Sequence, residues 1–392
     1  LTVLVDEALW PWRGRRWAHL VSDESYAELH AFAAELGIPR QVFQGDHYDV
    51  PADTRERALA NGATAVPARE LVRRLRGAGL RLSGAERRAR RERLEAEPQW
   101  RWDPLGRSWT VVARSRQDRP NLPDTGCPFC PGGLEAPEPY DVRWFENRWP
   151  AMPDARCEVV LYTDQHDATF ASLGVEGARR VVDLWAERTE ALGAREDVAY
   201  VLVFENRGSE VGATIAHPHG QIYAYPDVPA VPRTELQAET CVFCDEGWSV
   251  PEQLVVAAHG EDDARWQAAC PPASSWPYEL ILAPDAHVAD LPSLDAAGRR
   301  AFAALLVDVL GRLDRLFDAP MPYMLWIHQR PTDGRAWPEA HLHAHVAPVL
   351  RKPGTVRFVA AAEQGAGVFF NPVPPDEAAA ALRALDLGEG AA

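Results

Sequence analysis

Lysine is almost missing from this chain: Lys352 is the single lysine among 41 basic residues. Schiff-base chemistry is therefore not expected, and any phosphate group must be held by arginine, backbone amides or a metal. Long apolar runs are missing too, since none approaches the roughly 20 residues a membrane span requires. The stretch from Leu1 to Trp12 carries acids where an export signal would carry bases, so a cytoplasmic protein is expected, with no membrane partner. An excess of positive charge is equally lacking. The net charge of −16 argues against a general nucleic-acid binder. Cysteines number six, and in an unexported chain they read as metal ligands or core residues rather than a disulfide frame.

What is present is unevenly distributed. With 392 residues, 46% of them hydrophobic, the chain is long enough for two or three domains. Residues 1–100 hold 16 arginines and 15 acids, a net of +1, which leaves −17 for the rest. Residues 1–82 read as a small α/β domain: Thr2–Val5 as a strand, Tyr26–Leu36 and Ala68–Leu75 as helices, the first stopped by Gly37. Asp6, His19, Asp23, Asp46 and His47 in this segment either meet at a metal or acid/base site or lie on surfaces and turns. The runs Trp10-Pro-Trp-Arg-Gly-Arg-Arg-Trp17 and Phe43-Gln-Gly-Asp-His-Tyr48 resemble a short actinobacterial domain of unknown function. Residues 83–99 read as a charged linker helix, with Ser83 and Glu86 as a capping box.

From residue 100 the text repeats. Cys127-Pro-Phe-Cys130 is followed 36 residues later by His166 and 51 residues after that by His217; Cys241-Val-Phe-Cys244 is followed 43 residues later by His287 and 54 after that by His341. Each middle histidine precedes an amphipathic helix, Val175–Leu192 or Leu294–Leu316. Each helix leads into a strand, Tyr200–Phe204 or Tyr323–Ile327, and each strand returns at a histidine motif, His217-Pro-His-Gly-Gln221 or His341-Leu-His-Ala-His345. One α+β unit has been written twice. Residues 100–232 form the first, catalytic copy and 233–392 the second copy with a C-terminal tail. Glu205-Asn-Arg-Gly208 reads as the turn that ends the strand at Phe204.

Two cysteines and two histidines per copy suit tetrahedral zinc, and four protein ligands make a structural site. The expected sets are Cys127, Cys130, His166 and His217 in the first copy, and Cys241, Cys244, His287 and His341 in the second. Alternation along the strand sends His217, His219 and Gln221 to one face. With His217 bound to metal, His219 is left as a rigidly held imidazole able to attack a phosphoryl centre. Gln221 can donate to a phosphoryl oxygen as charge builds there.

The duplicated unit and its H-x-H motifs resemble the histidine triad superfamily, and the pattern over residues 100–385 is similar to the galactose-1-phosphate uridylyltransferase family. Arg101-Trp-Asp-Pro-Leu105, Phe145-Glu-Asn-Arg-Trp-Pro150, Phe204-Glu-Asn-Arg-Gly208 and the pentapeptide carry that resemblance in order. It implies two fused units of antiparallel sheet with helices, and a ping-pong exchange of UMP between UDP-glucose and galactose 1-phosphate through a uridylyl group on His219. It implies phosphate and nucleotide contacts from Arg116, Arg119, Asn206, Gly212 and Thr214, and sugar or phosphate contacts from Arg357 and Glu363. A homodimer is implied because the family's tail reaches the partner's site. Phe369 stands where a sugar-binding glutamine is expected.

The family's second metal site can also use a glutamate and three histidines, here Glu235, His328, His343 and His345, with iron as an alternative to zinc. The cysteine set is preferred because it reproduces the first site residue by residue. His343 matches His219, but Ala344-His345 replaces Gly-Gln and His328 replaces Asn206, so the second copy reads as a lapsed site. Two other functions fit the same residues: an ADP-glucose or dinucleotide phosphorylase, and a non-catalytic nucleotide-binding zinc protein.

Overall fold

The computed structural model describes residues 2–385 apart from Arg13, 39–41, Gly84, 87–97, 119–125 and 246–249. Arg119 and most of the expected linker helix lie outside the described residues; the Ser83–Glu86 capping box lies within them, with both of its reciprocal hydrogen bonds formed. The chain divides into two compact units, residues 1–117 with 151–153, and 118–150 with 154–392.

The first unit is built on a five-stranded sheet of β1 (Val3–Val5), β2 (Trp10–Trp12), β3 (Arg15–Ser22), β4 (Tyr48–Pro51) and β5 (Thr64–Ala65). Alternation along β1 explains the layering. Val3 and Val5 pack with Leu29 and Phe32 of the helix Tyr26–Glu35, while Leu4 turns to the other face and meets Leu71 and Leu75 of the helix Ala68–Gly77. The Ser25 side chain caps the first of these helices by accepting from Glu28 N, and Gly37, with φ of +70°, follows its end. The hairpin of β6 (Gln99–Asp103) and β7 (Ser108–Val112) pairs only with itself. It belongs to this unit, so the division falls after Gln117 rather than at the sequence boundary of residue 99.

The second unit is one nine-stranded antiparallel sheet. Its strands are β8 (Arg143–Glu146), β9 (Cys157–Leu161), β10 (Tyr200–Arg207), β11 (His219–Tyr225), β12 (Val255–His259), β13 (Trp266–Ala269), β14 (Leu280–Pro284), β15 (Tyr323–His328) and β16 (His343–Pro348). They run in the order β12-β13-β14-β16-β15-β10-β11-β9-β8. Reading outward from the β15–β10 junction, each copy repeats the same strand order. The two copies thus share one sheet, because β10 and β15 cover each other's edge. The helices Gly174–Gly193 and Ala296–Leu316 lie on one face and bury Val181, Trp185, Phe302 and Leu306 against Val201, Val203, Ile222, Leu325 and Val346 in a single core. In β11, Gly220, Ile222 and Ala224 are buried while His219, Gln221 and Tyr223 are only half-buried, which gives the opposite face of the sheet to polar chemistry.

The expected turn at Glu205 is corrected by the structure. β10 continues through Arg207, pairing Glu205 with Leu325, Asn206 with Met324 and Arg207 with Tyr323. Two of its polar residues have partners on the second copy: Tyr323 Oη donates to Glu205 Oε1 at 2.9 Å, and Arg207 pairs with Asp314 at 2.6 Å, while Glu205 Oε2 is buried with no hydrogen-bond partner among the described residues. The chain turns only at Gly208, where φ is +97° and an added Cβ would meet Pro322.

Candidate active site

The four residues expected at the first metal site are brought together, with all their ligand atoms within 4.8 Å of one another. Cys130 Sγ lies 3.4 Å from His166 Nδ1 and 3.6 Å from His217 Nδ1. His217 Nε2 donates to the Thr163 carbonyl at 2.8 Å, which places the ring's lone pair on Nδ1, toward the sulfurs. Tyr140 Oη, 2.9 Å from the same Nε2, in turn donates to Phe129 O. Burial holds His217 below the ordinary histidine range, so it is neutral and fit to bind a metal.

The second copy repeats this construction. Cys241 Sγ is 3.4 Å from His341 Nδ1, Cys244 Sγ is 3.3 Å from His287 Nδ1, and His341 Nε2 donates to Pro284 O at 3.0 Å. Pro284 stands three residues before His287, as Thr163 stands three before His166.

The set considered as an alternative to this one is also assembled: Glu235, His328, His343 and His345 form a further cluster within the same 4.8 Å limit and share no residue with the cysteine set. Glu235 accepts from His328 Nδ1 at 2.8 Å and lies 3.6 Å from His343 Nε2. Both ring nitrogens of His345 are buried with no hydrogen-bond partner among the described residues. Burial pushes His345 well below the normal range and takes His343 down to about 4, so both rings are neutral. Neutral imidazoles, one of them with two orphaned nitrogens, beside a carboxylate suit a bound metal ion.

Register explains how one fold produces two different sites. Phe204 pairs with Gln221 across β10–β11, which puts Asn206, two residues further on the same face, toward the His219 end. In the second copy Trp326 pairs with His345 and His328 with His343. Asn206, His219 and Gln221 thus occupy the positions that His328, His343 and His345 occupy in the other copy. Three polar side chains in one copy, His219 among them, correspond to three side chains that could hold a metal ion in the other.

His219 Nδ1 donates to the His217 carbonyl at 2.8 Å, leaving the ring's lone pair on Nε2. Phe129 meets the ring edge-on at 5.1 Å between centroids. Gln221 Oε1 accepts from Asn147 Nδ2 at 3.4 Å and from Tyr223 Oη at 3.5 Å. Those bonds turn the amide nitrogen of Gln221 outward as a donor. Asn147 is itself fixed by Trp149 N, 2.9 Å from its Oδ1. Gly220 has no room for a side chain, because a Cβ there would land on the Tyr162 hydroxyl.

The remaining expected contacts are spread more widely. Gly212, with φ of +80°, lies with Thr214 in the loop that leads into the pentapeptide. Arg116 is in the 3-10 turn Arg114–Asp118 of the first unit. Arg357 and Glu363 form a buried ion pair of their own, with the guanidinium 4.5 Å over the Trp276 ring. Sequence reasoning missed Asn147, Tyr140 and the Glu205–Tyr323 pair. Asn147 and Glu205 carried a signal, as parts of Phe145-Glu-Asn-Arg-Trp-Pro150 and Phe204-Glu-Asn-Arg-Gly208.

Comparison with known proteins matches residues 146–229 to the N-terminal domain of galactose-1-phosphate uridyl transferase and residues 253–384 to its C-terminal domain. Residues 3–78 match a protein family of unknown function, DUF4031. A galactose-1-phosphate uridylyltransferase of Thermotoga maritima is 34% identical over 73% of this chain and 98% of its own length. A solved uridylyltransferase is 30% identical, with a TM-score of 0.67, over 73% of this chain and 98% of its own. An ADP-glucose phosphorylase from Arabidopsis thaliana, solved with bound ADP-glucose, is 22% identical with a TM-score of 0.58 over 73% of this chain and 99% of its own, and shares the fold.

Proposed function

Because this chain belongs to the galactose-1-phosphate uridylyltransferase family, a family of transferases, we propose that it exchanges UMP between UDP-glucose and galactose 1-phosphate through a covalent uridylyl group on His219. The observation that carries this reading is the tautomer of His219: Nδ1–H is committed to the His217 carbonyl, so Nε2 holds the attacking pair. In the first half-reaction Nε2 attacks the α-phosphorus of UDP-glucose, a P–N bond forms, and the P–O bond to glucose 1-phosphate breaks with its electron pair on the departing oxygen. The Nδ1–H bond to the carbonyl stabilises the positive charge that develops on the ring. Gln221 donates its amide N–H to a non-bridging oxygen, held in that orientation by Asn147. In the second half-reaction a phosphate oxygen of galactose 1-phosphate attacks the same phosphorus, and the P–N pair returns to Nε2. Asn206, Gly212 and Thr214 would hold nucleotide and phosphates.

Zinc suits both cysteine–histidine sets, and iron or zinc suits Glu235, His328, His343 and His345. At the first set the ion would fix the loop that carries the His217 carbonyl, and hence the ring of His219. Phe358, Phe369 and Phe370 stand exposed beside the Arg357–Glu363 pair, an apolar surface that supports a homodimer in which the tail meets the partner's substrate. Among the described residues no helix is long and apolar enough to cross a membrane. A cytoplasmic location would keep the thiolates reduced and metal-bound.

Intact mass after incubation with UDP-glucose alone, quenched at alkaline pH because phosphoramidates are acid-labile, tests the reading. A uridylyl adduct that is absent in His219→Ala and discharged by galactose 1-phosphate is expected. An adenylyl adduct from ADP-glucose instead would keep the nucleophile and move the enzyme to the phosphorylase activity of the Arabidopsis relative.

A further inference from the structure

The first unit holds a cluster of metal-ligating side chains that the transferase chemistry does not use. His19 and Asp49 are directly paired across β3 and β4, and His47 immediately precedes β4. One ring nitrogen from each histidine and one oxygen of Asp49 lie within 4.8 Å of one another. Each imidazole is held from behind by a carboxylate. His19 Nδ1 is 2.7 Å from Asp6 Oδ2, and Asp6 is fixed in turn by the His19 backbone amide on Oδ1 at 2.6 Å. His47 Nδ1 is 2.6 Å from Asp46 Oδ1, while Arg81 and the Leu82 amide hold the other oxygen of Asp46 at 3.1 and 3.2 Å. With the Nδ1–H of each ring directed at a carboxylate, it is Nε2 of each ring that would offer its lone pair to a metal ion. Those two atoms converge on Asp49 Oδ1, from 3.8 Å for His19 and 3.3 Å for His47. Asp49 Oδ1 is buried, and among the described residues it has no aligned hydrogen-bond donor. A desolvated carboxylate oxygen without a donor is costly, and an ion held jointly with the two nitrogens removes that cost.

We propose that His19 Nε2, His47 Nε2 and Asp49 Oδ1 bind one divalent transition-metal ion, a two-histidine, one-carboxylate set with coordination positions left over. Asp6 and Asp46 are the outer carboxylates that fix the tautomer and orientation of each ligating ring. Asp49 also borders a cavity of about 620 Å³ walled by Trp10, Trp17, Val50 and Arg57. Three protein ligands leave positions for water or an oxygen-donor ligand, as in sites where a metal acts on a substrate. The residues belong to the segment matched by the family of unknown function, so this centre is separate from nucleotidyl transfer.

The test titrates the metal-stripped full-length chain, refilled with zinc at its thiolate sites, with Mn²⁺ while electron paramagnetic resonance counts the free ion. The wild-type chain is expected to take up one more Mn²⁺ per chain than either Asp49→Asn or His47→Gln. Asp6→Asn, which leaves all three ligands in place, is expected to keep the stoichiometry and weaken binding by about tenfold or more. Far-ultraviolet circular dichroism and limited proteolysis of residues 1–117 that match the wild type show that the first unit of each variant is folded. Equal uptake of Mn²⁺, Co²⁺ and Zn²⁺ by the wild type and both ligand variants would overturn the proposal and leave the cluster as an ion-pair network.

Discussion

Replacing Glu205 by glutamine should make the second unit more stable, by an amount that grows as pH rises from 4.5 to about 7 and then levels off. Glu205 is fully buried on β10, with Tyr323 Oη donating to Oε1 at 2.9 Å and Tyr162 beside it, and burial pushes its carboxyl from 4.5 up to about 7. The folded protein thus binds this proton more tightly than the unfolded chain. Below pH 4.5 both states are protonated and the shift has no effect on stability relative to glutamine. Between 4.5 and about 7 the unfolded chain ionises while the folded one does not, so stability falls as pH rises, and it stays low above that window. At about 1.4 kcal/mol per pH unit, the interval costs about 3 kcal/mol by pH 8. Glutamine keeps the acceptor for Tyr323, adds a donor toward Tyr162 and cannot ionise. Urea midpoints of the wild type and Glu205→Gln should coincide to within a few tenths molar near pH 4.5 and separate by up to about 1 M near pH 8, with the variant the more stable. Taking the difference between the two proteins at each pH cancels every other titrating group. Curves that run parallel across the range would refute the reasoning, since the carboxyl would then have an ordinary pKa.

Other residues give sharper readouts of the site. Gly220→Ala should cost about 1–3 kcal/mol and displace His219, with part of the loss recovered in combination with Tyr162→Phe, because the clash is with that hydroxyl; thermal melts and transfer rates of the double variant decide it. Asn147→Ala should lower kcat by up to about 100-fold while leaving the fold intact, by letting the Gln221 amide turn; an unchanged kcat would remove Asn147 as a positioning residue. Serine at both Cys241 and Cys244 should remove one bound ion per chain and leave the ion at Glu235 and His328, measured as metal content; unchanged stoichiometry would sink the cysteine–histidine site.

The two cysteine–histidine clusters were legible because their pattern repeats: two C-x-x-C pairs followed by histidines at similar intervals describe a duplicated fold and its two clusters together. What spacing does not give is register. Choosing between the cysteine set and the Glu235 set was unnecessary, since β15–β16 pairing puts His328 opposite His343 while His341, just outside the strand, turns to the sulfurs. Glu205 was read as a turn because a lone acid before Asn-Arg-Gly has the local signature of one; its partner Tyr323 lies 118 residues away and leaves no trace nearby. Asp49 went unnoticed for a different reason. In a chain with 57 acids a single aspartate says nothing until its neighbours are known.

The ladder between β10 and β15 also limits how this molecule can change. Phe204 is paired with Trp326 and Asn206 with Met324, so the strand that carries Asn206 and the strand that carries His328 are ruled from the same datum. A slip of one residue along that ladder would turn every side chain of the moving strand to the opposite face, at once unmaking the histidine cluster and baring the helix-side core. The histidine cluster of the second copy is therefore a gauge block for the first: the ladder that assembles it also holds Asn206 and its strand at a fixed height.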